Sequence, residues 1–482
     1  MKRTLLAAVS LLALAACQDQ SLTAGAPDAP RSVLATGAAL DPELSRKLAA
    51  AAPAERLVVI VNFDPARTST AALSGAARGL GAGVIEFRHL SMLAALATPQ
   101  QVGALAALPG VEGVYDNGEE KLLLRESVQS IRADAVHAGG TTGKGIGIGI
   151  IDSGINGLNP DVAFPSKTVA NLKFVANLAD FTGDDGTPRV GGDLYAENLP
   201  NSDNSSGHGT HVAGIAGGTG ASTGGAYRGV APGANLIGLS TGEGLSIINL
   251  SVLQSVDWLL ENRERYNVQV VNCSWGSNGV FDPADPINEA MKELHGAGIT
   301  VVFAAGNEGP GENTLNRRSA APWVISVAAG CKVGVLDPTN SQSQCADGRS
   351  RILANFSSRG IPGDALYHPD ITAPGVRIVS TRSSTGVLMN ALDATSDANV
   401  CNVGIQNVDN YTCASGTSMA APHIAGVVAL MEEASGGRLT PDQALSLLTR
   451  TARPLAGYGE WEAGAGYADA FAAVAAARKL RR

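Results

Sequence analysis

Four apolar segments constrain the fold of this chain more strongly than any other sequence feature. They cover residues 145–152, 234–240, 268–275 and 298–306. Each is continuously apolar rather than alternating, which is typical of strands buried on both faces of a parallel sheet. Amphipathic segments at 251–266 and 286–298 lie between them and supply the covering helices. The pattern predicts an α/β fold with a doubly wound, mostly parallel sheet and helices on both faces.

Residues 55–117 precede these segments and have a different order of elements, β-α-β-β-α-β. Thr98 and Gln101 have the spacing of a capping box at the start of the second helix. The order predicts a small α+β domain of the ferredoxin-like, split βαβ kind. Residues 18–53 are rich in Ala, Pro, Ser and Asp, and this composition predicts a flexible tether.

Residues 1–17 have the features of an export signal. Lys2 and Arg3 precede an apolar run that is too short to span a bilayer. The run ends in "LAAC", which resembles a bacterial lipoprotein signal, so Cys17 is predicted to carry lipid. A plain signal peptide with an incidental cysteine is the alternative. Gln18, rather than an aspartate, follows the cysteine, and this resembles the sorting signal of Gram-negative lipoproteins that go to the outer membrane.

Composition limits the partners and the redox environment. The net charge is −9 and no long basic run occurs, so nucleic acid is not expected as a partner.

The cysteines lack the paired spacing of a zinc site. Cys273, inside an apolar run, is predicted to be a buried free thiol. Two polar loops of this exported chain are candidates for short-loop disulfides, with pairs that spacing does not fix, and they are flanked by Cys331, Cys345, Cys401 and Cys413.

Four polar residues stand where strands are predicted to end or helices to begin. Asp152 ends "GIGIGIID", His208 opens the helix in "GHGTHVAG", and Asn307 follows the most apolar strand. Ser418, in "SGTSMAAPH", opens another helix. Ligands of doubly wound sheets bind outside the carboxyl ends of the strands, so we expect these four residues to lie together. An acid, a base, an amide donor and a serine at one place indicate nucleophilic catalysis.

Each of these residues also has a structural interpretation. Asp152 would cap a loop, Asn307 would occupy a turn, and Ser418 would be a helix N-cap. His211, three residues after His208, is more typical of a core histidine than of a metal ligand, because no third ligand is visible. The set of four in one order outweighs these separate alternatives.

At this point the chain resembles the subtilisin-like serine proteases, or subtilases. "IIDSGI", "GHGTHVAG", "AAGNEG" and "GTSMAAPH" match the four main signatures of that family, and "GVAPGANL", "DITAPG" and "NFSSRG" match secondary ones. The order Asp, His, Ser is that of subtilisin. The resemblance covers roughly residues 125–480, and residues 55–124 resemble the inhibitory propeptide of the family.

The resemblance implies a secreted serine endopeptidase that acts through an acyl-enzyme and requires no cofactor. Ser418 would be the nucleophile, His208 its general base, and Asp152 the carboxylate that orients the imidazole. Asn307 and the backbone N–H of Ser418 would form the oxyanion hole.

Substrate polypeptide would bind as an added extended strand. Two backbone walls would hold it, formed by Ser274, Trp275 and Gly276 on one side and by Gly242, Glu243 and Gly244 on the other. Glu243 would favour basic residues upstream of the cut, although a solvated surface glutamate is the more ordinary interpretation.

A metal site is left open by the sequence. Asp161 matches a position that often ligates structural calcium in the family. The neighbouring loop "GGTGASTGGAYRG" lacks the expected side-chain oxygens, so calcium binding stays undecided at this stage.

The resemblance also implies maturation. Residues 54–124 would be the inhibitory propeptide and residues 125–482 the catalytic domain, with autocatalytic cleavage near Leu124. Because Cys17 lies upstream of that cut, cleavage would separate the enzyme from its lipid. The precursor would be anchored at the outer membrane, and the mature enzyme would be a periplasmic or extracellular monomer.

Three other functions compete with this one. A catalytically inactive binding module on the same fold is disfavoured because all four chemical positions are filled. A nucleotide-binding protein is disfavoured because "TTGKGIGIGI" contains no GxxxxGK[ST] sequence. A lipase or esterase would use the same triad, but Ser418 lies in "GTSMA" rather than in a GxSxG elbow.

Overall fold

The structure is a computed structural model. It describes residues 32–33, 38–40, 42–86, 91–116, 125–174, 195–244, 246–332, 352–386, 389–390, 403 and 407–481. The chain divides into two compact units, residues 1–121 and residues 122–482. The predicted cleavage position at Leu124, the lipid position at Cys17, and Cys345 and Cys401 all lie outside the described residues.

The smaller unit is a sheet with three helices packed on it. Its strands are β1 (Ser32–Val33), β2 (Ala39–Leu40), β3 (Leu57–Phe63), β4 (Gly83–Glu86), β5 (Met92–Ala97) and β6 (Val111–Asp116). Its helices are α1 (Pro42–Ala50), α2 (Thr70–Gly79) and α3 (Pro99–Ala106). The strand order in the sheet is β1-β2-β6-β3-β5-β4, and β3 runs antiparallel to both β5 and β6. The predicted β-α-β-β-α-β order is confirmed, and so is the capping box of Thr98 and Gln101.

Part of the predicted flexible tether has regular structure. Within residues 18–53, α1 forms a helix and β2 pairs in parallel with β6. Leu44 of α1 is fully buried in the core of the small unit, and Leu48 packs against that core. The tether prediction is wrong for these residues, because two leucines four positions apart give the helix an apolar face that overall composition concealed.

The larger unit contains one extended sheet and two short antiparallel pairs. Its strands are β7 (Gly147–Asp152), β8 (Thr168–Phe174), β9 (Tyr195–Ala196), β10 (Asn235–Ser240), β11 (Gly242–Glu243), β12 (Ser246–Ile247), β13 (Val268–Cys273), β14 (Thr300–Ala304), β15 (Ile325–Gly330), β16 (Ile371–Pro374), β17 (Ile378–Thr381) and β18 (Tyr411–Ala414). Eight of them form one sheet in the order β16-β15-β14-β13-β7-β10-β8-β9, in which only β8 and β9 pair antiparallel. The pairs β11–β12 and β17–β18 are antiparallel.

Helices cover both faces of this sheet. They are α4 (Arg125–Ser130), α5 (Ala133–Ala138), α6 (His208–Gly217), α7 (Asn249–Asn262), α8 (Pro286–Gly296), α9 (Thr417–Ser435), α10 (Pro441–Thr451), α11 (Glu460–Ala463) and α12 (Ala470–Arg478). Side chains of α6, α9 and α12 share one core with Ile148 and Ile150 of β7, and side chains of α7 and α8 share a second core with Ile151. The doubly wound, mostly parallel prediction is confirmed. No helix among the described residues is both long enough and apolar enough to cross a membrane.

Helix α9 lies buried against α6, and a glycine permits their close approach. A Cβ atom on Gly426 would lie 2.5 Å from the Cβ of Val230 and 2.8 Å from the carbonyl oxygen of Ala216 in α6. Any larger residue there would push α9 away from α6. Since α6 begins at His208 and α9 contains Ser418, this helix contact helps to fix the relative positions of the two residues.

Candidate active site

Asp152 lies at the carboxyl end of β7, a central strand of the large sheet, and is 1% exposed. Its Oδ1 accepts hydrogen bonds from the backbone N–H of Ser153 and from Nδ1 of His208, both at 2.7 Å. Because Asp152 is the acceptor, Nδ1 of His208 carries the proton and Nε2 is left as a lone-pair acceptor. Oδ2 of Asp152 is buried and has no hydrogen-bond partner within the described parts of the chain.

His208 begins α6 directly after Gly207, whose φ of 84° lies in the left-handed region that favours glycine. The imidazole keeps 26% exposure. Burial acts to lower the pKa of His208, but the charge and hydrogen bond of Asp152 and the charge of Asp203 outweigh it and raise the pKa above its ordinary value. Asp152 therefore both orients the ring and stabilises its protonated form.

Asp203 is a buried carboxylate beside this pair that the sequence motifs did not single out. It is fully buried, and its Oδ1 accepts from the Ser153 hydroxyl at 3.1 Å and from the Gly207 N–H at 2.9 Å. Its Oδ2 accepts from the N–H and the hydroxyl of Thr210, at 3.1 and 2.6 Å. Burial raises the pKa of this carboxyl above its ordinary value.

The hydrogen bonds of the two neighbouring hydroxyl groups indicate that Asp203 is ionised. The Ser153 oxygen accepts from the Gly209 N–H at 2.8 Å, and the Thr210 oxygen accepts from the Asn156 N–H at 2.9 Å. Both hydroxyl protons are therefore free to point at Asp203, which receives four donors, the arrangement of a carboxylate. Asp203 places a second negative charge beside His208 and ties the start of α6 to the segment that follows Asp152.

Ser418 is the second residue of α9, and the N-cap is Gly416. The N-cap interpretation of Ser418 is therefore wrong. Its hydroxyl donates to the carbonyl of Ser274 at 2.9 Å, and the hydroxyl of Ser274 donates to the carbonyl of Ser418 at 2.8 Å. Pro422 explains the second bond, because it lacks the N–H that would otherwise reach the Ser418 carbonyl along the helix. Within the described residues, the Ser418 hydroxyl forms no hydrogen bond to His208 and the Ser418 backbone N–H has no partner.

Asn307 follows β14 and faces the start of α9. Its Oδ1 accepts from both the backbone N–H and the hydroxyl of Thr417, each at 2.9 Å. Two donors on one side fix the amide orientation, so the Nδ2 group is turned toward the opposite side. This leaves an amide donor beside Ser418, and the role of Asn307 in an oxyanion hole stays a prediction.

A cleft of about 600 Å³ brings these residues together. Asp152, His208, Asn307 and Ser418 line it, and so do Ser274, Trp275 and Gly276 of one predicted wall. Gly244 lines it from the other predicted wall, in which Gly242 and Glu243 form β11. The side chain of Glu243 lies outside the described part of the structure.

A smaller cavity of about 130 Å³ opens beside Ser418 and Asn307. The ring of Trp275 is fixed there by a hydrogen bond from its Nε1 to the carbonyl of Ile151, at 2.7 Å. Asn316, which the sequence analysis did not single out, donates through Nδ2 to the carbonyls of Trp275 and Ala304, at 3.1 and 3.0 Å. This one amide joins the two backbone walls of the cavity.

Asp161, the possible calcium ligand, takes part in hydrogen bonds within the protein. It is fully buried, its Oδ1 accepts from the Ser222 N–H at 2.9 Å, and its Oδ2 accepts from the Tyr411 hydroxyl at 2.5 Å. Calcium binding at Asp161 stays a prediction. Among the described residues, no group of three or more His, Cys, Asp and Glu side chains is placed to hold a metal ion.

The remaining predicted residues lie away from the cleft or at its edge. His211 is fully buried and its Nε2 faces the carbonyl of Ile378 at 3.0 Å, which confirms a core histidine. Burial lowers its pKa to about 3, so it is neutral. Cys273 is free and buried, as predicted. Cys331 and Cys413 each take part in a disulfide. Their partners remain a prediction, because Cys345 and Cys401 lie outside the described residues.

The parallel sheet, the buried helices and the Asp152–His208 pair are features of a serine hydrolase, and comparison with known proteins gives the family. The Subtilase family profile matches residues 143–468, and the chain belongs to the subtilase family of serine proteases. A profile for a prokaryotic membrane lipoprotein lipid attachment site matches residues 1–18, which indicates export and lipid anchoring.

Relatives agree with this assignment. Serine protease AprX from Bacillus subtilis (strain 168) is 32% identical over 372 residues, which are 75% of this chain and 74% of that protein. Subtilisin E from the same organism is 28% identical over 357 residues, 72% of this chain and 71% of that protein. The crystal structure of fervidolysin from Fervidobacterium pennivorans, a keratinolytic enzyme related to subtilisin, superposes with a TM-score of 0.50 at 21% identity. That comparison covers 87% of this chain and 61% of the other, and it supports the fold alone.

The charge of Asp203 should be visible in the pH profile. We expect Asp203→Asn to move the acid limb of kcat/KM to lower pH, because removing a negative charge lowers the pKa of His208. Activity at the optimum should also fall by roughly 10-fold or more, because an amide cannot accept all four hydrogen bonds and the start of α6 shifts. The measurement is kcat/KM on a peptide substrate across pH. Thr210→Val is the control, since it removes a contact to Asp203 without changing charge and should leave the acid limb of the kcat/KM profile in place. An acid limb that does not move in Asp203→Asn would contradict the conclusion that the charge of Asp203 raises the pKa of His208.

The bond between Tyr411 and Asp161 should contribute to stability. Tyr411→Phe keeps the ring in contact with Tyr227, whose centroid is 4.6 Å away, but leaves a buried carboxylate oxygen without its donor. We expect the free energy of unfolding to fall by about 1–3 kcal/mol. Urea denaturation at neutral pH measures it. Tyr266→Phe, which also removes one phenolic oxygen, is the control and should change stability by less than this; equal stabilities for both variants and wild type would disprove the role of the bond.

Proposed function

We propose that this serine protease cleaves peptide bonds through an acyl-enzyme formed on Ser418, with His208 as general base and Asp152 as the orienting carboxylate. The observation that carries the proposal is the 2.7 Å bond from His208 Nδ1 to Asp152 Oδ1 beside the cleft that also contains Ser418. It leaves Nε2 of His208 as the proton acceptor of the pair.

The first chemical step moves one proton. The Ser418 hydroxyl, which donates to the Ser274 carbonyl, turns about its Cα–Cβ bond toward Nε2 of His208. Its oxygen then bonds to the scissile carbonyl carbon while the proton passes to the imidazole. Asp152 stays ionised and stabilises the imidazolium, which next protonates the leaving amine. Water repeats the sequence on the acyl-enzyme and releases the acid.

The oxyanion of the tetrahedral intermediate needs donors that are already in place. The Nδ2 group of Asn307 and the unpaired backbone N–H of Ser418 are assigned this role. The N–H groups at the start of α9 have no partner within the helix and lie at its positive end, which favours a developing negative charge. Thr417 holds the amide of Asn307 by two bonds, so the donor needs no rearrangement when charge develops.

Substrate would bind as an extended strand between the two backbone walls. Ser274 to Gly276 form one edge, and Gly242 to Gly244 form the other beside the β11–β12 pair. Main-chain hydrogen bonds to these edges would hold a polypeptide irrespective of its sequence, with the cavity beside Trp275 receiving the side chain before the cut.

Residues 54–124, which include β3 to β6 of the smaller unit, are proposed as the inhibitory propeptide, removed by the enzyme itself near Leu124. The separation of the chain into units at 121 and 122 supports a junction in this region. Because the lipid-attachment profile matches upstream of it, cleavage would release an active, soluble enzyme from a precursor anchored at the outer membrane.

Intact mass and N-terminal sequence test the nucleophile and the propeptide together. We expect wild type to be cut near Leu124 and Ser418→Ala to retain residues 54–124, because the variant lacks the attacking oxygen. Ser446→Ala, a change of an exposed serine in α10, should be processed like wild type. In fractionated cells the active wild type should be soluble, and Ser418→Ala should pellet with membranes.

The other outcomes reject separate parts of the proposal. Equal cutting of wild type and Ser418→Ala would mean that another protease matures the chain. Absence of cutting in both would make residues 54–124 part of the mature protein. Active, cleaved enzyme that still pellets with membranes would reject release from the lipid.

Asn307→Ala tests the oxyanion donor. We expect kcat to fall by about 100- to 1,000-fold, with KM little changed, because the donor acts mainly on the tetrahedral state. Asn307→Asp is the matched variant, since it keeps an oxygen for both bonds from Thr417 but cannot donate; it should be impaired at least as much. Full activity in Asn307→Asp would show that the bonds to Thr417, rather than the donor, matter.

A further inference from the structure

One end of the cleft is lined by a residue that has no assigned role. Met389 is 9% exposed and lines the cleft on the side of His208. A Cβ atom on Gly207, the residue before His208, would lie 3.1 Å from the Cβ of Met389. The thioether side chain therefore stands directly beside the start of α6, where the general base is placed.

The chemistry of the reaction defines which part of a substrate passes this point. The leaving amine takes its proton from His208, so the residue that follows the scissile bond must lie next to the imidazole. Gly244, Ile247 and Trp275, which belong to or lie next to the walls proposed for the substrate, also line the cleft. Met389 is in contact with the residue before His208, so it is placed to meet this leaving group.

The segment that carries Met389 is fixed by hydrogen bonds to the catalytic shell. The N–H of Met389 donates to the carbonyl of Ser206 at 3.0 Å. The hydroxyls of Ser383 and Thr385 donate to the carbonyl of Asp203, at 3.2 and 2.9 Å. The amide of Asn390 donates back to the carbonyl of Ser383 at 3.0 Å. The position of Met389 is therefore tied to the same residues that hold His208.

The cleft that Met389 lines also contains apolar side chains. Met419 and Ala414 are among them, and Met419 is 2% exposed. Arg382, a cation of the same segment, donates hydrogen bonds to the Asn390 side chain at 2.9 Å and to the carbonyl of Val408 at 2.8 Å. A flexible thioether among small and apolar side chains accommodates apolar groups of varied shape.

We propose that Met389 forms the subsite for the side chain immediately after the scissile bond and selects apolar residues there. This inference relies on the proposed function, because it needs the acyl-enzyme on Ser418. It adds a specificity-determining residue from a segment that none of the recognised signatures contains.

Acyl transfer tests the subsite directly. A peptidyl ester forms the acyl-enzyme, and an added amino-acid amide then competes with water for it. The amino nitrogen bonds to the acyl carbon, the bond to Ser418 Oγ breaks, and the amine proton returns to Ser418 through His208. The ratio of products formed from two amides measures the leaving-group subsite alone, because both amides attack the same acyl-enzyme.

We expect wild type to prefer leucinamide over glycinamide, and Met389→Ala to reduce that preference by roughly 5- to 10-fold. Met389→Leu should retain the preference. Met389→Glu should favour argininamide over leucinamide, a reversal that a merely structural role would not produce. Leu480→Ala, which truncates an exposed apolar side chain in the last part of the chain, is the control and should match wild type.

The outcomes separate this inference from the proposed function. If the ester gives an acyl-enzyme but Met389→Ala and Met389→Glu keep the wild-type ratios, the subsite assignment is wrong and the catalytic assignment stands. If no acyl-enzyme forms on wild type, by ester burst or by fluorophosphonate labelling of Ser418, both are rejected.

Discussion

The close contact between α6 and α9 is the constraint on which the catalytic geometry depends. One helix begins with the imidazole and the other with the hydroxyl, and neither residue could be placed by its own element alone. Gly426 lets the two helices approach until backbone meets backbone, and the sheet beneath supplies Asp152 from the end of β7. The interior is packed too tightly to absorb a change in this distance gradually, so the spacing is set by packing density rather than by the polar groups themselves.

Electrostatics refines a geometry that packing establishes. The charges of two carboxylates act on one imidazole: Asp152 accepts the hydrogen bond of its Nδ1, and the fully buried Asp203 nearby is satisfied by four donors. A buried charge with that many hydrogen bonds is held rigidly, so its field at His208 does not fluctuate with side-chain motion. An imidazolium at His208 would meet a preorganised negative environment, which is the general requirement for electrostatic catalysis.

The sequence was sufficient for the sheet, for the order of its elements and for the meeting of Asp152, His208, Asn307 and Ser418 at one cleft, because each has a local signal. Asp152 and Asn307 follow continuous apolar strands, and Ser418 begins a helix of small residues. Asp203 and Met389 have no such signal. Asp203 is one of several polar residues in the segment before His208, and nothing in that segment marks it as the one that bonds to Gly207 and Thr210. Met389 is distant from His208 in the sequence, and the bond from its N–H to the carbonyl of Ser206 brings it there. Tyr411 is 250 residues from Asp161, so no local sequence signal predicts that its hydroxyl donates to this carboxylate. Helix α1 was missed because composition averages over the spacing of its two leucines.

The proline in α9 has a consequence for motion. Helix ends open and close readily because their first and last backbone groups lack partners along the axis. The carbonyl of Ser418 instead accepts a hydrogen bond from the hydroxyl of Ser274, which directly follows β13. The hydroxyl of Ser418 in turn donates to the carbonyl of Ser274. Ser418 is thus anchored to the residue that follows β13, an inner strand of the sheet, and core strands are the parts of a fold that open least readily in hydrogen exchange. Opening of the first turn of α9 would therefore still leave Ser418 tied to the sheet by two hydrogen bonds.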